Sequence, residues 1–259
     1  MRLLNYVWRL LGTALGFTTF GLGGVFLTLF VFPVISLKYG NSDKSKQLSR
    51  QLIHKSFRLF IKMISVLGLF DFNIEQAERA LSMKKGNVII ANHPSLIDVV
   101  VLIAILPHAD CIVKKALWNN FFLKGVVRSA GYIKNDENIE ALMQACNKSL
   151  ESGYSLIIFP EGTRTQNNEA IKLHRGASNI ALRCNANMIP VTIHCHPSTL
   201  TKNEPWYSIP ETKATFSLTV GEQIKVSEFI SSEQSTSVSA RQLTRFMKNY
   251  FNKEIQKYA

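Results

Sequence analysis

Asn87-Val88-Ile89-Ile90-Ala91-Asn92-His93-Pro94-Ser95-Leu96-Ile97-Asp98 changes character twice. Residues 87–91 form a short, mostly branched apolar run, the pattern of a strand buried on both faces. Asn92 to Ile97 holds a proline and small polar residues and reads as a turn. Asp98 then precedes the apolar stretch Val99 to Leu106, which predicts a helix with an acidic residue in its first turn. Strand, polar turn and helix in this order are half of a parallel β-α-β unit.

The same alternation continues downstream. Cys111 to Val113, Ser155 to Phe159 and Ile189 to His194 read as buried strands, and Phe216 to Val220 alternates as a later one. Ile139 to Glu151 and Ala177 to Cys184 read as helices between them. This predicts an α/β fold, a sheet covered by helices. Ser231 to Ser239 reads as a polar loop. Arg241 to Ala259 reads as a helix with Leu243, Phe246, Met247, Tyr250 and Phe251 on its apolar face. It closes the domain or, through Arg245, Lys248, Lys253 and Lys257, meets lipid.

Upstream, Leu10 to Leu37 contains no charged residue. An apolar stretch of about 20 residues suffices to cross a bilayer, and a cleaved signal peptide is usually shorter and ends in small residues. Membrane insertion is expected. Gly21, Gly23, Gly24 and Pro33 leave open whether the segment spans or dips and returns. Arg2 and Arg9 precede it, and Lys38, Lys44, Lys46, Arg50, Lys55, Arg58 and Lys62 follow. The larger positive cluster should stay in the cytoplasm, so the expected location is the cytoplasmic (inner) membrane with the C-terminal domain facing the cytoplasm. Ser45 to Leu69 reads as an amphipathic basic helix, lying on anionic lipid or packed on the globular domain. The expected organisation is therefore a membrane segment and basic helix over 1–70 and an α/β domain over 71–259.

The chain carries 30 Lys plus Arg against 18 Asp plus Glu, a formal net charge of +12. Such an excess attracts anionic partners such as phospholipids or an acidic carrier protein. The cations are scattered and no nucleic-acid motif focuses them, so nucleic acid is excluded as a partner. Cys111, Cys146, Cys184 and Cys195 form no Cys-x-x-Cys pair, and all four read as reduced, buried and cytosolic. His194-Cys195-His196 lies on a strand, where neighbours point to opposite faces, so no metal site is expected.

Two blocks carry chemistry. His93 stands at a strand end, where α/β folds bind ligands, and an imidazole there can serve as a general base. Asp98 reaches back to one ring nitrogen and leaves the other free to take a proton. Ser95 is a poor nucleophile, because local chain geometry disfavours an aligned bond to His93. Downstream, Phe159-Pro160-Glu161-Gly162-Thr163-Arg164 places a carboxylate, a permissive backbone position, a hydroxyl and a guanidinium at another strand end. Gly162 lets a ligand approach the backbone, and Arg164 offers a planar fork suited to phosphate.

An Asn-His-x-x-x-x-Asp block followed by Phe-Pro-Glu-Gly-Thr-Arg resembles the glycerolipid acyltransferases, typified by lysophosphatidic acid acyltransferase. The resemblance covers roughly Asn87 to Ile193. It implies that His93 activates an acceptor hydroxyl, that Asp98 orients it, and that Glu161, Gly162, Thr163 and Arg164 bind the acceptor. Val113-Lys114-Lys115 with Leu117 resembles the family's lysine-containing block, which implies an oxyanion-stabilising role for Lys114. Ile189-Pro190-Val191 resembles its last block. The donor implied is an acyl carrier protein or coenzyme A thioester, with no further cofactor, and the acceptor a lysolipid, most simply 1-acyl-sn-glycerol-3-phosphate. Gly131-Tyr132-Ile133-Lys134-Asn135-Asp136-Glu137 departs from the family pattern: Glu137 stands where an arginine for the acceptor phosphate is expected. Lys134 or Arg128 then compensates, or the acceptor is a different lipid or polyketide-like hydroxyl without that phosphate. A membrane-anchored lipid-binding protein without turnover and a hydrolase sharing the same base are the readings from other classes.

Overall fold

A computed structural model of the protein describes residues 2–135, 138–165, 171–231 and 234–257. The chain opens with α1 (Arg2–Phe26), which runs through a π-helical turn (Leu27–Val31) into α2 (Phe32–Tyr39). Neither the glycines nor Pro33 breaks this segment. Pro33 sits in the first turn of α2, where a missing N–H costs nothing, and the π turn absorbs the change of path. Leu3–Tyr39 forms 37 helical residues and contains an 18-residue stretch of mean hydropathy 2.2, long and apolar enough to cross a membrane.

The α3 helix (Asp43–Val66) is capped by the Ser42 side chain, which accepts from the Ser45 N–H. It leads to β1 (Phe70–Asn73), α4 (Glu75–Ser82), β2 (Val88–Ala91), α5 (Asp98–Ile105), β3 (Ala109–Lys114), α6 (Lys115–Asn119) and α7 (Lys124–Ser129). Then follow β4 (Ile133–Asn135), α8 (Ile139–Glu151), β5 (Ser155–Ile158), α9 (Gly176–Arg183), β6 (Met188–His196), β7 (Ala214–Val220) and α10 (Thr236–Gln256). The strands make one seven-stranded sheet in the order β1-β7-β6-β2-β5-β3-β4. Every neighbouring pair is parallel except β6 with β7.

Alternation along the central strands builds two cores. Ile89, Ala91, Ile157, Ile189, Val191 and Ile193 face one side, under α3, α4, α5 and α7. Val88, Ile90, Leu156 and Met188 face the other, under α8, α9 and α10. Helices on both faces explain why the strands read as continuous apolar runs rather than alternating ones. The C-terminal ends of β2, β5 and β3 lie along one edge, because Ile90 pairs with Ile158 and Cys111 with Ile157.

Several expectations need correction. The division at 70/71 runs through a core: Ile53, Ile61 and Ile64 of α3 are buried with α5 residues Val101, Leu102 and Ile105. The α3 helix therefore packs on the domain. Arg50 donates to Asp110 at 2.8 Å and to the Ala130 carbonyl at 2.8 Å, sealing that contact with a buried ion pair. Arg9, counted as a flanking surface charge, is 4% exposed and donates to the Pro210 carbonyl. The expected loop 231–239 ends early, since α10 begins at Thr236 and buries Ser239 and Ala240. All four cysteines are free, but only Cys111 and Cys146 are buried; Cys184 and Cys195 are half-buried.

Candidate active site

The β2 strand delivers the Asn92 and His93 pair to the sheet edge. Asn92 fixes the strand end: its side chain donates to the Ile193 carbonyl at 2.8 Å and accepts from the Ile193 N–H at 2.7 Å. His93 is then gripped at both backbone atoms. Its N–H donates to Glu161 Oε1 at 2.9 Å, and its carbonyl accepts from the Thr165 N–H at 2.7 Å. The Thr165 hydroxyl donates to the same Glu161 oxygen at 2.8 Å. The two sequence blocks are thus one hydrogen-bonded unit.

The imidazole is held as firmly. Nδ1 of His93 lies 2.7 Å from Asp98 Oδ2, and the ring stacks on Phe159 with centroids 4.2 Å apart. An ionised carboxylate only accepts hydrogen bonds, so the proton of a neutral ring sits on Nδ1 and Nε2 keeps its lone pair. Asp98 Oδ2 also accepts from the Ser95 N–H at 2.9 Å. Its other oxygen is buried without a hydrogen-bond partner among the described residues. Burial accordingly pushes the Asp98 carboxyl up to about 6, against the opposing pull of the His93 hydrogen bond. Ser95 is fully buried and its hydroxyl donates to the Thr199 carbonyl at 3.0 Å, so it faces away from the imidazole chemistry.

The remaining residues of the second block differ in placement. Glu161 is buried, and burial raises its pKa despite hydrogen bonds from Thr165 and His93. Its Oε1 accepts from the His93 N–H and the Thr165 hydroxyl, so the carboxylate holds the His93 backbone. Gly162 has φ +67°, the left-handed region that favours glycine, and a β-carbon there would lie 3.2 Å from His174. Thr163 is exposed. Arg164 is half-buried, and its Nη1 donates to the carbonyls of Leu200 and Thr201, each at 2.8 Å. It ties down the β6–β7 connection beside the site, where Leu96 N–H also donates to the Leu200 carbonyl.

Lys114 ends β3 at the same sheet edge and is exposed. Because β5 lies between β2 and β3, two strand spacings separate it from the His93 strand, about 10 Å. Arg128 donates to the Trp118 carbonyl at 3.5 Å and lies over the Trp118 ring. Lys134 is on β4. Glu137, which carries the departure from the family pattern, lies outside the described residues. Sequence reasoning missed Thr165, Phe159 as a stacking partner, and the carbonyls of Thr199 to Thr201. Thr165 directly follows the second block, but nothing in its type announces a hydrogen bond back to His93.

Residues 71–194 match the family model Acyltransferase. A mouse protein named 1-acyl-sn-glycerol-3-phosphate acyltransferase alpha is 23% identical over 193 residues, covering 72% of this chain and 64% of the relative. The chain thus spans under two thirds of that relative's length. A Helicobacter pylori protein named 1-acyl-sn-glycerol-3-phosphate acyltransferase is 33% identical over 114 residues, 42% of this chain and 48% of the relative. The crystal structure of the 1-acyl-sn-glycerophosphate acyltransferase of Thermotoga maritima shares the fold, with a TM-score of 0.66 over 97% of this chain and 98% of that one at 17% identity.

Proposed function

We propose that this chain, a member of the acyltransferase family, moves a fatty acyl group from a thioester to the free hydroxyl of a lysolipid at a membrane surface. The observation that carries the reading is the His93–Asp98 pair at 2.7 Å, with its backbone held by Glu161 and Thr165 of the second block. Nε2 of His93 takes the proton of the acceptor hydroxyl as its oxygen attacks the thioester carbonyl carbon. Asp98 stabilises the imidazolium that forms. The tetrahedral intermediate collapses, the carbon–sulfur bond breaks, and the leaving thiolate takes the proton from His93. No acyl-enzyme is required. Lys114, a cation at the same edge, serves the oxyanion; its exposed position leaves the long side chain free to close on bound substrate.

The donor is an acyl carrier protein or coenzyme A thioester. The acceptor is 1-acyl-sn-glycerol-3-phosphate, as the names of the relatives and the Arg164 guanidinium support. The outward faces of α1 and α2, with Leu11, Leu15, Leu22, Phe26, Leu29 and Phe30 exposed, are the membrane anchor. Contacts with the domain run along α1, from Trp8 donating to the Leu67 carbonyl to Thr28 against Gly125. A segment held along its length in this way dips into one leaflet rather than projecting across both. The cations on the surface of α3, Lys55 and Lys62 among them, and the charge that follows the apolar run support a cytoplasmic position for the catalytic domain.

A thiol-release assay in vesicles tests the acceptor. Lysophosphatidic acid is offered beside neutral lysolipids. Thiol release that depends on lysophosphatidic acid supports the assignment. Release with another acceptor alone contradicts the phosphate and leaves the transfer chemistry standing, and release with no acceptor identifies a hydrolase.

A further inference from the structure

The segment from α6 to α7 carries exposed apolar side chains and cations beyond those that the catalytic edge and the core use. Between Asp110 and Asp136 the sequence contains no acidic residue, while Lys114, Lys115, Lys124, Arg128 and Lys134 supply five cations. Large apolar side chains stand among them in the open: Phe121 is 68% exposed, Phe122 47% and Leu117 40%. Lys124 lies over the Phe121 ring, 5.8 Å from its centroid, within the reach of a cation–π contact.

This surface adjoins the N-terminal helix. A β-carbon on Gly24 of α1 would lie 2.8 Å from the Phe122 carbonyl oxygen, and one on Gly125 would lie 2.1 Å from the Thr28 side chain. Glycine at 24 lets α1 meet the Phe122 backbone, and glycine at 125 leaves room for the Thr28 side chain. The Phe122 ring also lies against Gly21 of α1, where a β-carbon would meet it at 3.5 Å.

The geometry points to a second membrane-docking element: α6, α7 and the turn between them insert Phe121 and the edge of Phe122 into the interfacial region of an anionic bilayer. Lys115 and Lys124 contact lipid phosphates there. Exposed aromatics among cations, without a single carboxylate, suit a negatively charged lipid surface, and the apolar component separates it from a purely acidic protein partner. Since β3 runs directly into α6, docking this element sets the height of the β3 end above the lipid. The inference rests on the reading of α1 and α2 as the membrane anchor.

The test uses the full-length protein with Phe121→Trp, reconstituted in phosphatidylcholine vesicles with or without phosphatidylglycerol, their acyl chains brominated. The signal is the added emission, variant minus parent. In anionic vesicles it should be quenched about threefold or more by the brominated chains and shielded from aqueous acrylamide. Adding Lys115→Glu and Lys124→Glu should return it toward its value in neutral vesicles. Unquenched, acrylamide-accessible emission from protein that still co-sediments with vesicles overturns the inference alone. Failure to co-sediment instead overturns the anchor reading. If the two lysine substitutions raise KM for an acyl carrier protein thioester without changing the quenching, the surface serves the carrier and the lipid assignment is wrong.

Discussion

Glu161 Oε1 accepts a hydrogen bond from the backbone N–H of His93 at 2.9 Å, so the carboxylate of the second block holds the base of the first. This has a kinetic signature. Glu161→Ala should lower kcat about 10²-fold, the scale of a misplaced catalytic group, and leave KM for the acceptor nearly unchanged. Glu161→Gln keeps an acceptor oxygen and should retain most of the rate. A large rise in KM with kcat preserved would show direct acceptor binding instead.

Thr165→Val tests the other end of the same clamp. It removes the hydroxyl that donates to Glu161 at 2.8 Å and accepts from the His93 N–H at 3.3 Å, but keeps the backbone bond to the His93 carbonyl. Loss of one buried hydrogen bond costs about 1 kcal/mol. The melting temperature should therefore fall by a few degrees and kcat should drop by less than in Glu161→Ala. Equal rates in the two variants would mean that Glu161 acts through something other than His93.

Activity should decline as pH falls through about 6, where the buried Asp98 carboxyl takes up a proton and no longer supports the imidazolium. The same titration does not unfold the protein. Burial raises the carboxyls of Asp98, Asp110 and Glu161 above their ordinary values. A raised folded-state pKa contributes stability that is fully present below the unfolded value and lost as pH rises through the folded one. Asp98 thus favours the fold below about pH 6 relative to neutral, and Asp110 and Glu161 act in the same direction. Rates measured beside circular dichroism at pH 5 should show lost turnover with intact structure. Joint loss of both contradicts the assignment.

The packing of α3 predicts where the chain tolerates truncation. Removal of residues 2–39 should shift the protein from vesicles toward solution while it stays folded. Removal of residues 2–70 takes away Ile53, Ile61, Ile64 and the Arg50 partner of Asp110, and should give aggregated protein. Leaving Asp110 buried without its cation costs about 3–5 kcal/mol, a large fraction of a domain's stability. Size-exclusion chromatography of the two truncations decides it. A monomeric, folded product from the longer deletion would show that α3 is dispensable.

Much of this was legible in the sequence. Val88 to Ala91 and Ser155 to Ile158 are buried on both faces of a parallel sheet, so their apolar runs stand out without knowledge of the partners. The His93 and Glu161 blocks sit where those strands end, and their spacing carried the chemistry. What was hidden depends on tertiary packing. Phe70-Asp71-Phe72-Asn73 is a short edge strand that exists through its pairing with β7, far along the chain. Arg9 and Arg50 look like surface charges until a distant carbonyl and a distant carboxylate claim them. The roles of Glu161 and Thr165 are fixed by backbone atoms of His93, and backbone atoms leave no mark in a sequence.

The central claim is that Nε2 of His93 takes the proton of a lipid hydroxyl during acyl transfer. The measurement that meets it most directly is single-turnover thiol release by purified His93→Ala in vesicles, with lysophosphatidic acid and an acyl thioester, beside the parent protein. Loss of a general base costs about 10²–10⁴-fold, so the account predicts a loss of at least that lower size with vesicle binding and folding unchanged. Near-parental turnover by the folded, vesicle-bound variant would contradict it.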